Sequence, residues 1–155
     1  MTPRPARLSD LNSLVELTRR AYEPYEAVLG ITPVPVTEDY GPRIERGEVW
    51  VLEDGEAHVG LVVLEDHGDR SVLFSVAVAP DRQSAGIGRK LLSFAEETAR
   101  KRGHRTLALY TNAKMERNIR IYSQCGYRET GRRPHPARPG SVVVDMEKQL
   151  TGTSE

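Results

Sequence analysis

The segment from Ser71 to Thr111 leaves a chain few ways to fold. It begins as SVLFSVAVA, turns through PDRQSAGIG, continues as RKLLSFAEETARKRG and ends in RTLALYT. An apolar run of that length, bounded by turn residues, reads as a central strand buried on both faces. In the next stretch Ile87, Leu91, Phe94, Ala95 and Ala99 share one stripe. Glu96, Glu97, Arg100 and Lys101 take the other face, which is the period of an amphipathic helix. Gly103 stops that helix after a basic last turn. A strand, a helix and a strand in succession pair parallel through a right-handed crossover. The chain is therefore read as α/β, with a parallel pair inside a mixed sheet.

The entry to the helix holds Gly86 and Gly88, separated by one residue. Each glycine in a helix costs about 1 kcal/mol relative to alanine. The first amides of a helix lack intrahelical partners, and the helix dipole adds partial positive charge there. Glycines let an anion approach that backbone closely. On this reading the amides from Gln83 to Arg89 wrap a diphosphate, and Arg82, Arg89 and Lys90 add charge. The competing reading is a plain tight turn from strand to helix. A dinucleotide fingerprint fails because Leu91 stands where its third glycine belongs. A P-loop fails because Arg89, Lys90 and Leu91 follow Gly88.

The rest of the chain supplies the partners of this unit. Pro3 to Leu8 is a candidate first strand, and Ser9 or Asp10 caps a helix with the stripe Leu11, Leu14, Val15, Thr18, Ala21 and Tyr22. EPYEAVLGITPVPVTEDYG reads as a long loop, with Thr37 capping a second short helix towards Arg46. GEVWVLEDGEAHVGLVVLED is a hairpin turning at Asp54-Gly55. KMERNIRIYSQCG is a second amphipathic helix stopped by Gly126, and YRETGRR with SVVVDMEKQL forms a final antiparallel pair around PHPARPG. No linker or repeat divides the chain, so residues 1–150 are expected to form one domain and 151–155 a short polar tail.

Composition narrows the function. The 155 residues carry 22 basic and 22 acidic side chains, so no general electrostatic footprint points to nucleic acid or an anionic membrane surface. A single cysteine, Cys125, rules out an internal disulfide, and no two of the four histidines lie at metal-ligand spacing, so no metal is expected. No run approaches the roughly 20 apolar residues of a membrane span, and the N-terminus lacks a signal-type apolar core. The expectation is a cytoplasmic protein without membrane or nucleic-acid partners.

Gln83-Ser84-Ala85-Gly86-Ile87-Gly88, after the strand ending Val76-Ala77-Val78 and after Pro80, resembles the pyrophosphate loop of the GNAT superfamily of acyl-CoA-dependent N-acyltransferases. LALYTNAKMERNIRIYSQCGYRE is similar to that family's later strand and helix, with Asn118, Tyr122 and the stop Gly126-Tyr127 at the matching positions. RPARLSDLNSLVEL is similar to its opening strand and helix, so the resemblance runs from Pro3 to about Leu150. Many members carry glycine where Ser84 stands.

The resemblance implies a mostly antiparallel mixed sheet, flanked by helices and splayed between strands 72–79 and 105–110. Acetyl-CoA would be the cosubstrate. Its pantetheine arm would bond backbone around Val76, Ala77 and Val78, and its diphosphate would sit on the amides of Gln83, Ser84, Ala85, Gly86, Ile87, Gly88 and Arg89. Asn118 would contact the pantetheine arm or nearby backbone, and Tyr122 would protonate the leaving thiolate. The backbone amide of Val78 or its neighbour would hold the oxyanion. No carboxylate lies on SVLFSVAVA, and Glu23, Glu26 and Asp39 are the remaining candidates for a base, with a water chain as the alternative. Cys125, ahead of a helix-terminating glycine, is read as a small buried hydrophobe and not as a nucleophile.

The acceptor would be a primary amine of a small molecule or peptide. Residues 22–40 offer carboxylates and phenols, while GRRPHPARPG is basic, a combination that suits a zwitterion. A non-catalytic acyl-CoA-binding sensor is the alternative, and a homodimer is compatible with the family.

Overall fold

The computed structural model describes residues 2–30, 32–83 and 86–150. Ser84 and Ala85 of the glycine turn, and the expected tail at 151–155, lie outside the described residues. Seven strands form one sheet: β1 Arg4–Pro5, β2 Val49–Asp54, β3 Ala57–Asp66, β4 Ser71–Val78, β5 Thr106–Asn112, β6 Arg128–Pro134 and β7 Val142–Gln149. The helices are α1 Leu11–Leu29, α2 Val34–Thr37, α3 Tyr40–Glu45, α4 Ile87–Lys101 and α5 Glu116–Gln124.

The strand order is β1-β2-β3-β4-β5-β7-β6, and among the described residues only β4 and β5 pair parallel. The fold is thus a mixed, mostly antiparallel sheet with helices on both faces. The β2–β3 hairpin turns through Gly55 and Glu56, since Asp54 pairs with Ala57, and Gly55 takes φ +65°. β7, last in the chain, inserts between β5 and β6.

Two apolar cores sandwich the sheet. One joins Leu14, Leu17 and Ala21 of α1, and Tyr40 and Ile44 of α3, to Val51, Leu61, Val63 and Ala77. The other joins Ile87, Leu91, Ala95 and Ala99 of α4 to Val62, Leu64, Leu107 and Val144. Gly60 of β3 sits where α4 packs closely on the sheet. A Cβ there would stand 3.0 Å from Leu91 Cδ1 and 3.2 Å from Ile87 Cγ2.

Several local expectations are corrected. The first helix does not end at Tyr22 but continues through Pro24 to Leu29, where Gly30 at φ +74° caps it and donates its amide to the Glu26 carbonyl. Leu29 is buried, and that contact compensates for the helix hydrogen bond a proline removes. Val15 is 43% exposed, and Leu17 takes the core position instead. Asp39, not Thr37, caps the helix that runs towards Arg46, accepting from the Gly41 amide at 3.1 Å. Glu96 is not on a solvent face. It is buried beneath the sheet, where it accepts from the Tyr127 hydroxyl at 3.1 Å and from Lys148 Nζ at 3.0 Å.

Candidate functional site

β4 opens the site. Val63 pairs with Ser75 and Leu64 with Leu73, so Phe74 is an extra residue on β4, a bulge. The parallel pairing of β4 with β5 ends just before it, at Leu73 opposite Leu109. A bulge bends its strand and increases the local twist. Beyond Phe74, β4 therefore leaves β5 while staying paired with β3, and the sheet splays.

The freed edge of β4 presents alternate backbone groups. The Ala79 amide donates to the Val59 carbonyl, so the odd-numbered residues here face β3 and the groups of Val76 and Val78 face the opening. Side chains reach both carbonyls from that side: the Tyr22 hydroxyl lies 3.4 Å from Val76 O and Gln83 Nε2 lies 3.4 Å from Val78 O.

A cavity of about 400 Å³ fills the opening. Val76, Ala77, Val78, Gln83, Gly86, Gly88, Arg89, Asn118 and Tyr122 all line it, so the structure brings together most of the residues expected at the site. Ala77 and Ile87 turn their side chains into the two cores, and Ile87 can meet the cavity only through its backbone. Gly86 is the N-cap of α4 at φ +77°, a conformation that side-chain-bearing residues rarely adopt. Gly88 lies within the first turn, where a Cβ would meet nothing closer than Val78 Cγ2 at 3.9 Å.

The cations are distributed differently from the sequence expectation. Arg82 pairs with Asp54 at 2.7 Å, and Lys90 is exposed and does not line the cavity. Arg89 lines it and lies 3.5 Å from Cys125 Sγ. Arg117, which sequence reasoning missed, also lines it, from the first turn of α5. Its signal was available in its place directly before Asn118.

A second, smaller cavity of about 90 Å³ opens on the α1 side of the splay, between Phe74, Leu109, Tyr110, Val143 and the β6–β7 loop residues His135 and Arg138. Tyr22, Asn118 and Tyr122 line both cavities and so mark their junction. Tyr22 is held by Ser75, with 3.1 Å between the two hydroxyl oxygens. The Tyr25 hydroxyl donates to Asn118 Oδ1 at 3.3 Å, tying α1 to α5 across the opening.

Tyr122 is half-buried and packs edge-on against Tyr127, with ring centroids 5.9 Å apart. Its hydroxyl makes no hydrogen bond among the described residues. Burial pushes this phenol up from its ordinary value, with smaller contributions from Tyr22 and Tyr25, so it stays protonated across the neutral range. Burial likewise raises Tyr22. None of the proposed bases reaches either cavity: Glu23 and Asp39 are exposed, and Glu26 lines neither space. Cys125 is half-buried against the core, as a small hydrophobe would be.

No group of three or more His, Cys, Asp or Glu among the described residues is placed to hold a metal ion. No described helix is long and apolar enough to cross a membrane.

Comparison with known proteins places this geometry. Residues 45–129 match the model of the acetyltransferase (GNAT) domain. The chain is 31% identical over 153 residues to S-(2-succino)cysteine N-acetyltransferase of Bacillus subtilis, covering 91% of each protein. It is 39% identical over 61 residues to the [ribosomal protein bS18]-alanine N-acetyltransferase of Escherichia coli, and this match spans only 41% of that relative's length. Its fold superposes on the PaiA N-acetyltransferase of Thermoplasma acidophilum, crystallised with coenzyme A, with a TM-score of 0.78 at 21% identity, over 95% of this chain and 97% of that one. The splayed sheet, the glycine-capped helix at its mouth and these matches together make the chain a member of the GNAT acetyltransferase family.

Proposed function

We propose that this acetyltransferase moves the acetyl group of acetyl-CoA to a primary amine of a small molecule or peptide, by direct attack while both substrates are bound. The observation that carries the reading is the meeting of two cavities at Tyr122, one beside the α4 N-terminus and one beneath the β6–β7 loop. The first supplies free amides and two arginines for a diphosphate, and an unpaired strand edge at Val76 and Val78 for an amide-bearing arm. The second supplies space for the amine.

The acyl donor contributes an activated thioester carbonyl. The neutral amine nitrogen attacks that carbon, the carbonyl electrons move to oxygen, and collapse breaks the carbon–sulfur bond. The oxyanion needs a donor, and the inward amides at Val76 or Val78 are the backbone candidates for it. The thiolate takes the Tyr122 proton, and the proton lost by the attacking nitrogen restores the phenol. A raised phenol pKa supports this role, because an acid must reach the transition state still protonated. Among the described residues no carboxylate lines either cavity, which favours water as the carrier of the amine proton.

The test is acetyl-CoA titration in a calorimeter followed by turnover of Tyr122→Phe with thiol-release detection. Retained binding with turnover lowered about 100-fold or more supports the acid role. Unchanged turnover sinks it. Binding by the wild-type protein without transfer to any amine would leave an acyl-CoA sensor instead.

A further inference from the structure

From the second cavity we infer that the acceptor is an amino acid whose α-carboxylate is held by Arg138, with His135 as a neighbouring hydrogen-bond donor. The inference rests on the acetyltransferase reading above and adds the substrate class.

The end of β6 and the loop that follows it, residues 132–141, carry four basic side chains that differ in what they face. Arg132 is paired with Glu129 at 2.8 Å, and Arg133 is held at 2.8 and 3.1 Å by Asp145. Arg138 has no carboxylate partner among the described residues. Its Nη1 donates to the Thr32 carbonyl, which ties the loop across the cavity mouth and leaves the rest of the guanidinium fork free. Not one of the described residues lining the cavity is acidic. The wider groove beyond it, about 740 Å³, does hold Glu65, Asp145 and Glu147, but each is already in an ion pair, with Arg43, Arg133 and Arg70 respectively. The uncompensated charge at this end of the site is therefore positive.

His135 adds to it as a donor and not as a base. Its Nδ1 accepts the Ala137 amide at 3.0 Å, so the neutral ring carries its hydrogen on Nε2. Burial, then Arg138 and Arg133, lower its pKa, which keeps the ring neutral at pH 7. Among the described residues His135 is the one histidine that lines either cavity, and it thus has no free lone pair to take the amine's proton. What it offers is an N–H beside a guanidinium, a pairing suited to a planar carboxylate. An amino acid anchored there places its amine towards the Tyr122 junction and its side chain towards the wider groove.

The experiment compares acetyl transfer to amino acids with transfer to the amines that lack the carboxylate: alanine with ethylamine, phenylalanine with phenethylamine, tyrosine with tyramine, arginine with agmatine, and S-(2-succino)cysteine with its α-amide. For at least one pair kcat/KM should favour the acid by about 100-fold or more, because a site built around a carboxylate leaves its donors unpaired without one. In Arg138→Ala that ratio should fall towards one, chiefly through KM, and Arg138→Lys should restore part of it. Loss of the tether to Thr32 alone would slow both members of a pair equally, so the ratio separates recognition from structure. A wild-type ratio near one overturns the inference, as does a ratio unchanged in Arg138→Ala. Saturable acetyl-CoA binding with no transfer to any of these acids overturns it while leaving the acyl-CoA reading intact. Absence of acetyl-CoA binding removes both.

Discussion

Two glycines one position apart do different things at the mouth of α4. Gly86 is required by its backbone, which is left-handed, whereas Gly88 is helical and has room for a methyl group. Gly86→Ala should therefore cost about 1–2 kcal/mol of stability through strain. Gly88→Ala should raise stability by up to about 1 kcal/mol, since alanine is the better helix former. If the turn holds a diphosphate, both variants should still bind acetyl-CoA more weakly than the wild type. Thermal unfolding beside calorimetric titration reads the two effects separately. Unweakened binding by Gly88→Ala would reduce this turn to a structural one. The need for Gly86 was legible in the sequence, because a tight turn into a helix is where glycine belongs. The fate of Glu96 was not: its neighbours along the helix are charged, and only Tyr127 and Lys148, far away in the chain, make its burial tolerable.

Elements show the same division between local and distant causes. The hairpin at Gly55, the central position of β4 and the stop of α4 at Gly103 follow from local chemistry, and the sequence reading finds them. The bulge at Phe74 leaves no local mark, since SVLFSVAVA is apolar on either register. It is fixed by how β3 meets β4, and the position of the site depends on it. α1 was misjudged for a related reason. Pro24 reads as a helix breaker, yet burial of Leu29 and the Gly30 cap carry the helix past it and deliver Tyr25 to Asn118. The short β1 is held by charge more than by length. Arg4 Nε bonds Glu53 at 2.8 Å, while its two terminal nitrogens bond Asp10 at 3.0 and 3.1 Å. The hydrogen bonds from Arg4 hold the Asp10 carboxyl below its ordinary value of 3.8, against the opposing effect of burial. A carboxylate held low stabilises the fold above that ordinary value, and its contribution is lost as pH falls through the depressed one. Asp10→Asn should accordingly cost roughly 1–3 kcal/mol at pH 7, and the gap from wild type should close as the pH drops below about 4. Denaturant midpoints at several pH values measure it; a gap that stays constant with pH would remove the carboxylate from the account.

At the scale of the whole molecule, both cores pack on one continuous sheet, and we propose that residues 1–150 unfold as a single cooperative unit. Near- and far-ultraviolet circular dichroism should then give one shared transition. Acetyl-CoA at about 100 times its dissociation constant should stabilise that unit by roughly 2.7 kcal/mol, visible as a higher melting temperature. Two separate transitions would divide the domain. The position of β7 bears on how the molecule is made. β6 is exposed along nearly its whole length and pairs with β7 alone, and β5 also needs β7 on its outer side. During translation, both strands must wait for residues 142–149 to leave the ribosome. A chain ending at Gly140 would forfeit two strands and not one, together with Val143 from the wall of the smaller cavity. The smaller cavity is thus walled in only once β7 has been made and has paired with β5.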